Sequence, residues 1–465
     1  MLDINFIREN TSLVKDGTAE KGFDAGLIDK ILELDEKRRK LLMEVEGLRA
    51  KKNRIAEEKK PSEEGRTIKE ELKDKEPKLT KLQAEYKEIL FAIPNIPDKK
   101  APKGKSEKEN VEVRKWGEPP KFDFKPKDHL EIGKKLGILD FETGAKVTGS
   151  QFYFLYGDGA RLELALAQYV LEKLSKDGFT PVITPDLAKS RYYLGTGYAP
   201  KGREAQIYTV EGEDLGLIAT AEVTLAGSHA DEVISEDKLP IKYAGYSHCF
   251  RQEAGAYGKY SKGLYRVHQF TKTEMFIYCK PEDSEKFHQE ILNLEEEIYQ
   301  ELGIPYRVME MCTGDLGAMA AKKYDIEAWM PGRGDYGEVT SASNCTDYQA
   351  RNLNIRFRRN SGEIEYVHML NGSAVAMSRT PIAILENFQE EDGSVRIPDV
   401  LQKWMGKEKM DELRGQIFAW RQTIESMKKQ CDAIVCDQAV LVRVEAGQWV
   451  VIPIYGPRGL TGWDI

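Results

Sequence analysis

Apolar side chains in the first hundred residues return on a sevenfold step. Leu34, Leu41, Leu48 and Ile55 are each seven apart, and Ile31, Arg38, Val45 and Lys52 fill the alternate seam position. Charge dominates the rest of the stretch from about Leu27 to Glu58. A breaker follows, Lys60-Pro61-Ser62-Glu63-Glu64-Gly65, and then Ile68, Leu72, Lys75, Leu79, Leu82, Tyr86 and Ile89 step by four and three. Two heptad helices joined by a short Pro/Gly turn predict an antiparallel coiled-coil hairpin. Limbs of ~25–30 residues at 1.5 Å rise make it ~40 Å long. Pro77 falls inside the second limb and is expected to kink that helix or delay its start. The first ~25 residues predict a small helical start.

Beyond the hairpin the texture changes. Ile93-Pro94-Asn95-Ile96-Pro97 and Glu118-Pro119-Pro120 punctuate an irregular Pro/Lys/Gly stretch over 92–128. Helical patterns then alternate with β-rich runs such as Phe152–Leu155, Lys242–Tyr246, Phe276–Tyr278 and Ile355–Phe357. Strand clusters around longer helices predict an α+β fold built on an antiparallel sheet flanked by helices. The resulting division is an N-terminal helical arm over 1–100, a linker over 101–128, the body over 129–405 and an extension over 406–465. Within the extension, Met410, Leu413, Ile417, Trp420, Ile424 and Met427 predict a helix over 408–430. The runs Ala439–Val444 and Trp449–Ile454 predict a hairpin turned at 445–448. A packed or dimer-stabilising appendage and a contact with nucleic acid or another protein are both open for this tail.

Composition narrows the function classes. Of 465 residues, 41% are hydrophobic and 31% charged, enough apolar material for a large core. No stretch reaches the ~18–20 apolar residues of a membrane helix. The N-terminus lacks the basic-then-apolar pattern of a secretory leader, so no membrane partner and a cytoplasmic location are expected. The six cysteines form no C-x-x-C pair and read as free thiols, with no zinc expected. A net charge of −8 argues against a generic polyanion binder. Residues 35–60, however, carry ten Lys/Arg against six Asp/Glu, a local +4. By charge alone this limb is either a solvated coiled-coil surface or one that follows a phosphate backbone.

The densest chemistry lies in 248–276, which reads as strand, Gly/Lys loop and returning strand. Arg251 and Glu253, two apart on a strand, share a face, and Arg266, Phe270 and Glu274 sit on the return. Guanidiniums suit phosphate oxygens, an aromatic ring can stack on a base, and a carboxylate can hold an ammonium. By residue types alone, a salt-bridged surface hairpin reads equally well.

Cys249-Phe250-Arg251-Gln252-Glu253-Ala254-Gly255, followed by Arg266-Val267-His268-Gln269-Phe270, resembles motif 2 of the class II aminoacyl-tRNA synthetases in its seryl form. Thr220-Ala221-Glu222 resembles that family's serine-specific loop. Glu338-Val339-Thr340-Ser341-Ala342-Ser343-Asn344-Cys345-Thr346-Asp347-Tyr348-Gln349-Ala350-Arg351 resembles its E-[VI]-[ST]-S-x-S-N-C-x-D-[FY]-Q-A-R block. His368–Ser373, Arg379-Thr380 and Ile384–Asn387 resemble motif 3, and Phe179–Pro185 resembles motif 1. With the N-terminal hairpin, the resemblance covers about residues 1–405 and is of the bacterial type.

The resemblance implies ATP-dependent activation of L-serine and transfer of the seryl group to tRNA(Ser), and it admits tRNA(Sec) as a further acceptor. It implies a homodimer with Pro185 near its interface and an arm that reaches the long variable arm of the tRNA. Arg251, Glu253 and Arg379 are the implied catalytic residues. Arg251 contacts the α-phosphate, Glu253 lies at the adenine side, Phe270 stacks on adenine with Arg379 opposite, and Arg266 reaches the γ-phosphate. Gln252, Val267, Val339 and Thr340 complete the implied ATP site. Glu338 and Ser341 are the implied ligands of Mg²⁺. Serine is expected on Thr220, Ala221, Glu222, Glu274, Asn371, Ser373 and Arg251, with Glu274 holding its ammonium. A site built to bond a hydroxyl rejects alanine, because its own polar groups would be left unpaired.

Ala374 and Ser378 stand where the family often has glycine, and Asn352 where it often has arginine. His248, His268 and His368 read as orienting or structural residues. Two other readings are weighed: a synthetase-like ligase that charges a carrier protein, and a non-catalytic synthetase-like interaction protein. The first is disfavoured by the full arm, the second by retention of Arg251, Arg266, Glu274, Glu338 and Arg379.

Overall fold

The computed structural model describes residues 1–57, 63–198, 207–253, 262–411, 440–445 and 448–453. One compact unit spans Met1–Asp411 and a second Glu412–Ile465. Two short helices, α1 (Ile4–Glu9) and α2 (Thr11–Glu20), precede the long helices α3 (Gly26–Glu57) and α4 (Glu63–Ala92). Far along this pair the seam is narrow: Val45, Ile68, Leu72 and Leu79 are buried, with Leu41, Leu48 and Ile55 half-buried beside them.

The polar seam positions are satisfied locally. Arg38 stacks on Tyr86 with its guanidinium carbon 4.6 Å from the ring and pairs with Asp35 at 2.8 Å. Lys75 pairs across the helices with Glu44. Pro77 does not delay α4, which begins at Glu63, so the expected breaker is already helical at Glu63–Gly65. The proline is exposed, where water can take the carbonyl it leaves unpaired. Residues 58–62, the rest of that breaker, lie outside the described residues.

The root of the arm is pinned to the body. Leu2, Ile7, Val14, Ile28, Ile31, Leu90 and Ile93 pack with Tyr348. Asn95 Nδ2 donates to Met319 O and Cys345 O, both at 2.9 Å, and Lys21 Nζ donates to Ala320 O at 2.7 Å.

The body is organised on eight strands: β1 (Val111–Trp116), β2 (Thr180–Ile183), β3 (Ile241–Phe250), β4 (Gln269–Cys279), β5 (Tyr306–Glu310), β6 (Lys322–Met330), β7 (Asp335–Asn344) and β8 (His368–Ala376). Their order is β1-β5-β6-β7-β8-β4-β3-β2, antiparallel except for β2 beside β3. The antiparallel, helix-flanked fold expected from sequence is therefore present. The stretch read as linker, however, contributes β1, paired with β5 at the sheet edge. Helices α5 (Asp158–Lys176) and α7 (Ser284–Glu301) bury Leu162, Leu166, Val170, Ile291 and Ile298 at helical spacing in the main core. Short helices α6 (Glu222–Gly227), α8 (Tyr348–Leu353) and α9 (Arg379–Asn387) frame the site.

Lys409–Met410 is a strand paired with Val395–Arg396, with Met410 in the core, so the extension's expected helix does not begin at 408. Its remainder, from 412, lies outside the described residues. In the second unit, β9 (Val440–Glu445) and β10 (Gln448–Pro453) pair antiparallel as expected.

Candidate active site

Three neighbouring strands build the floor. In register, Glu274 of β4 lies between Gly245 of β3 and Ser373 of β8. A Cβ at Gly245 would stand 2.7 Å from Leu225 and 3.1 Å from Ala221, so the missing side chain lets α6 and the Thr220-Ala221-Glu222 turn close onto the sheet. Gly372 does the same on the other side, where a Cβ would stand 2.2 Å from Ile291 of α7.

Above this floor is a cavity of about 50 Å³. Arg251, Glu253, Arg266, Val267, Phe270, Glu338, Val339, Thr340, Ser373 and Arg379, drawn from three of the sequence motifs, all line it. Tyr265, Lys272, Ala376 and Ser378 complete the wall and were not anticipated.

The cationic groups are held by specific partners. Arg251 donates Nε–H to Ala219 O at 3.4 Å, and its guanidinium lies over Phe270, 5.1 Å from the ring centre. His268 meets Arg251 O through Nδ1 at 2.9 Å, which fixes the backbone at that arginine. Arg266 pairs with Glu253 at 3.3 Å. Glu253 has φ of 47°, so the simple strand alternation expected for Arg251 and Glu253 breaks there, and β3 already ends at Phe250. Arg379 stacks on Tyr265 at 4.7 Å and pairs with Glu338 at 3.0 Å. Burial alone would push the Glu338 carboxyl up, but the charges of Arg379, Lys323 and Arg251 hold it below the usual range.

Glu338 and Ser341 are three apart, an odd spacing that a regular strand would split between two faces. A register shift between β6 and β7 at Val339 corrects this. Ser341 then lies opposite Asp325, whose carboxyl feels Glu338 and is pushed up to about 7 chiefly by burial. Glu338 and Ser341 offer hard oxygen donors of the kind Mg²⁺ takes together with substrate phosphates. Among the described residues no group of three or more His, Cys, Asp or Glu side chains converges as a self-sufficient metal cage. Two such donors would leave most of a Mg²⁺ coordination shell to water and phosphate oxygens.

The expected serine residues form a second, deeper group. Lys272 pairs with Glu274, Ser373 Oγ donates to Glu274 at 3.3 Å, and Lys272 Nζ donates to Ser373 Oγ at 3.3 Å. Glu222 accepts from Gln349 Nε2 at 2.7 Å, Asn371 Nδ2 at 3.0 Å and Tyr198 OH at 3.0 Å. Burial and the neighbouring charge of Glu274 raise Glu222 to about 7. Thr220 Oγ1 accepts from Glu222 N at 3.2 Å. Ala221 is packed under Gly245, and Gln252 turns aside to donate to Ile207 O at 2.9 Å; neither lines the cavity.

The family's missing glycines leave no strained backbone. Ala374 sits at a bulge in β8 with its methyl in the core, and Ser378 has φ of −95° ahead of α9. Asn352 donates to Gly195 O at 2.8 Å. The four described cysteines, Cys249, Cys279, Cys312 and Cys345, are free and buried.

The profile described as tRNA synthetase class II core domain (G, H, P, S and T) matches residues 208–388, and that described as Seryl-tRNA synthetase N-terminal domain matches 1–97. A serine–tRNA ligase of Dictyoglomus turgidum is 55% identical over 417 residues, 87% of this chain and 98% of the relative. One from Rubrobacter xylanophilus is 53% identical over 88% and 98%. Among solved structures, a seryl-tRNA synthetase from Pyrococcus horikoshii complexed with ATP superposes with a TM-score of 0.81 at 44% identity, covering 89% of this chain and all of that one.

Proposed function

The chain belongs to the seryl-tRNA synthetases, and on that footing we propose how its pocket activates serine and passes it to tRNA(Ser). The carrier-protein ligase and the non-catalytic reading find no support beside relatives matched over 98% of their length, arm included. One observation carries the proposal: Arg251, Arg266 and Arg379 converge on a single cavity that also borders the Lys272–Glu274–Ser373 cluster.

In the first step a serine carboxylate oxygen attacks the α-phosphorus of ATP. The bond from that phosphorus to the bridging oxygen breaks, and pyrophosphate leaves with the electron pair. In the second, a hydroxyl of the terminal ribose of the tRNA attacks the seryl carbonyl and AMP departs. Little covalent work falls to side chains, so catalysis is positioning and charge stabilisation. Adenine takes the place of Arg251 on the Phe270 face, with Arg379 closing from the other side and Glu253 at its edge. Arg251 then turns to the α-phosphate and Arg266 to the γ-phosphate. Gln252, Val267, Val339 and Thr340 shape the walls around the nucleotide. Glu338 and Ser341 would hold Mg²⁺, which when bound would offset phosphate charge. Glu274 takes the serine ammonium. Glu222, set by Gln349, Asn371 and Tyr198, and Thr220 bound the hydroxyl side, with Ser373 alongside and Ala221 seating the turn.

The basic first limb of the arm is proposed to track the tRNA, tRNA(Sec) included, from a domain spanning about residues 1–100. A homodimer through the edge strand β2 is supported by Ile183, 83% exposed, and Leu164, 59% exposed. A cytoplasmic location follows from this role. Serine-dependent exchange of labelled pyrophosphate into ATP, with the other amino acids as controls, tests the reading. Exchange with serine alone is expected; exchange with none, by folded protein, overturns it.

A further inference from the structure

Lys272 was not foreseen as part of the site, yet it stands at the junction of the two substrate compartments. It lies two residues before Glu274 on β4, and its side chain is 7% exposed against 2% for Glu274. Its ammonium pairs with Glu274 and donates to Ser373 Oγ at 3.3 Å. It also lines the cavity that holds Arg251 and Arg379. Glu274 is therefore already paired with an ammonium before any amino acid arrives.

That arrangement has a physical consequence. A buried cation deprived of its anion is costly. When the serine ammonium takes Glu274, the Lys272 charge needs a replacement partner close by. In an α-amino acid the carboxylate and the ammonium branch from one carbon, so the incoming ligand brings the replacement with it, next to the carboxylate it claims. The chemistry has a matching need. The reaction pushes one anion, the carboxylate, onto another, the α-phosphate, and a cation between them offsets that repulsion. Arg251, also among the residues expected to contact serine, turns to the phosphate in this reading, and no other residue assigned so far is placed for the carboxylate.

We propose that Lys272 is a further catalytic residue: on serine binding its ammonium passes from Glu274 to the serine carboxylate and steers that anion onto the α-phosphate. The Ser373 hydroxyl, bonded to both partners, keeps the exchange local. This inference rests on the serine-activating reading above.

The test compares L-serine with L-serinamide, which keeps the ammonium and the hydroxyl but not the negative carboxylate. Binding of each is measured by titration calorimetry on the full chain and on Lys272→Met, together with ATP binding and serine-dependent pyrophosphate exchange. The unsubstituted protein is expected to prefer serine over serinamide by about tenfold or more, an ordinary range for a desolvated charge pair. Lys272→Met is expected to bring that preference to within about twofold and to lower the exchange kcat about 100-fold, with ATP affinity little changed. Lys272→Gln keeps hydrogen bonds without the charge and is expected to lose the preference as well, so the test survives if the methionine variant does not fold. A preference that persists in either folded variant overturns the inference, because Lys272 would then only be a partner of Glu274. Tighter serine binding by the variants overturns it too, because Lys272 would then be a mere competitor. An unsubstituted protein with no serine-dependent exchange brings down the underlying reading first and this inference with it.

Discussion

In the arm, Lys75 meets Glu44 with 29% and 40% of their side chains in water; in the pocket, Lys272 meets Glu274 with 7% and 2%. The residue types are the same and the consequences differ. Arm pairs such as Arg49–Glu76 and Lys78–Asp74 trade water for a partner in a high dielectric and contribute little. The arm is held by its seam of Val45, Ile68, Leu72 and Leu79. In the deeper part of the pocket, Lys272, Glu274 and Glu222 have lost water and depend on their neighbours. Burial and the charge of Glu274 raise Glu222 to about 7, whereas Glu338, nearer the opening, keeps part of its side chain in water and is held low by Arg379, Lys323 and Arg251. For stability, charge is a solvated coat in the arm and a set of mutually dependent groups in the pocket.

The sharpest break of this comparison is in the pocket. Arg251→Ala or Glu274→Gln is expected to lower serine-dependent exchange by about 10³-fold or more, the scale of losing a charge contact made in the transition state. Steady-state exchange measures it, and loss confined to tRNA charging would contradict the assignment.

Next is Leu72→Ala in the arm, expected to cost about 2–5 kcal/mol locally as a core truncation. Charging of tRNA should weaken while exchange stays intact, which separates the two regions in one protein.

Third is pH. Glu222 loses its proton near 7 and adds negative charge beside Glu274, the proposed partner of the ammonium, so KM for serine should fall as pH rises through that value and level off above it. The raised group also makes the folded state bind its proton more tightly than the unfolded chain. Its contribution to stability is therefore greatest below the ordinary carboxylate range, declines up to about 7 and is flat beyond. Glu222→Gln, whose amide nitrogen can donate to Tyr198 OH, should remove that penalty and stabilise the protein at pH 8 by up to about 3 kcal/mol while weakening serine binding. Chemical denaturation at pH 5 and pH 8 checks the sign.

The smallest effect is expected for Lys75→Ala, with no resolvable change in thermal unfolding; a large drop would show that arm charges are not merely solvated.

The contrast also explains what the sequence made legible. A seam repeats, so α3 and α4 can be read from leucine spacing, and the pairing of β3 with β4 follows from two β-rich runs around a Gly/Lys loop. Arg251, Arg266, Phe270, Glu338 and Arg379 were found because their motifs are distinctive, and they share one cavity. Residues whose importance comes from burial were missed. Lys272 and Asp325 look ordinary in the chain, Gln349 has no role assigned within its motif, and all three acquire roles from the groups the fold brings against them. Strand β1 was hidden among prolines and lysines, although the alternation Val111-Glu112-Val113-Arg114 carried a signal. The break at Glu253 could not be anticipated, because a positive φ is uncommon for a glutamate and its residue type gives no sign of one.

A crystal structure with a non-hydrolysable seryl-adenylate analogue tests the central claim most directly. The account predicts adenine between Phe270 and Arg379, the phosphate surrogate on Arg251 and the seryl ammonium on Glu274. An analogue bound elsewhere, or one whose ammonium points away from Glu274, would contradict it.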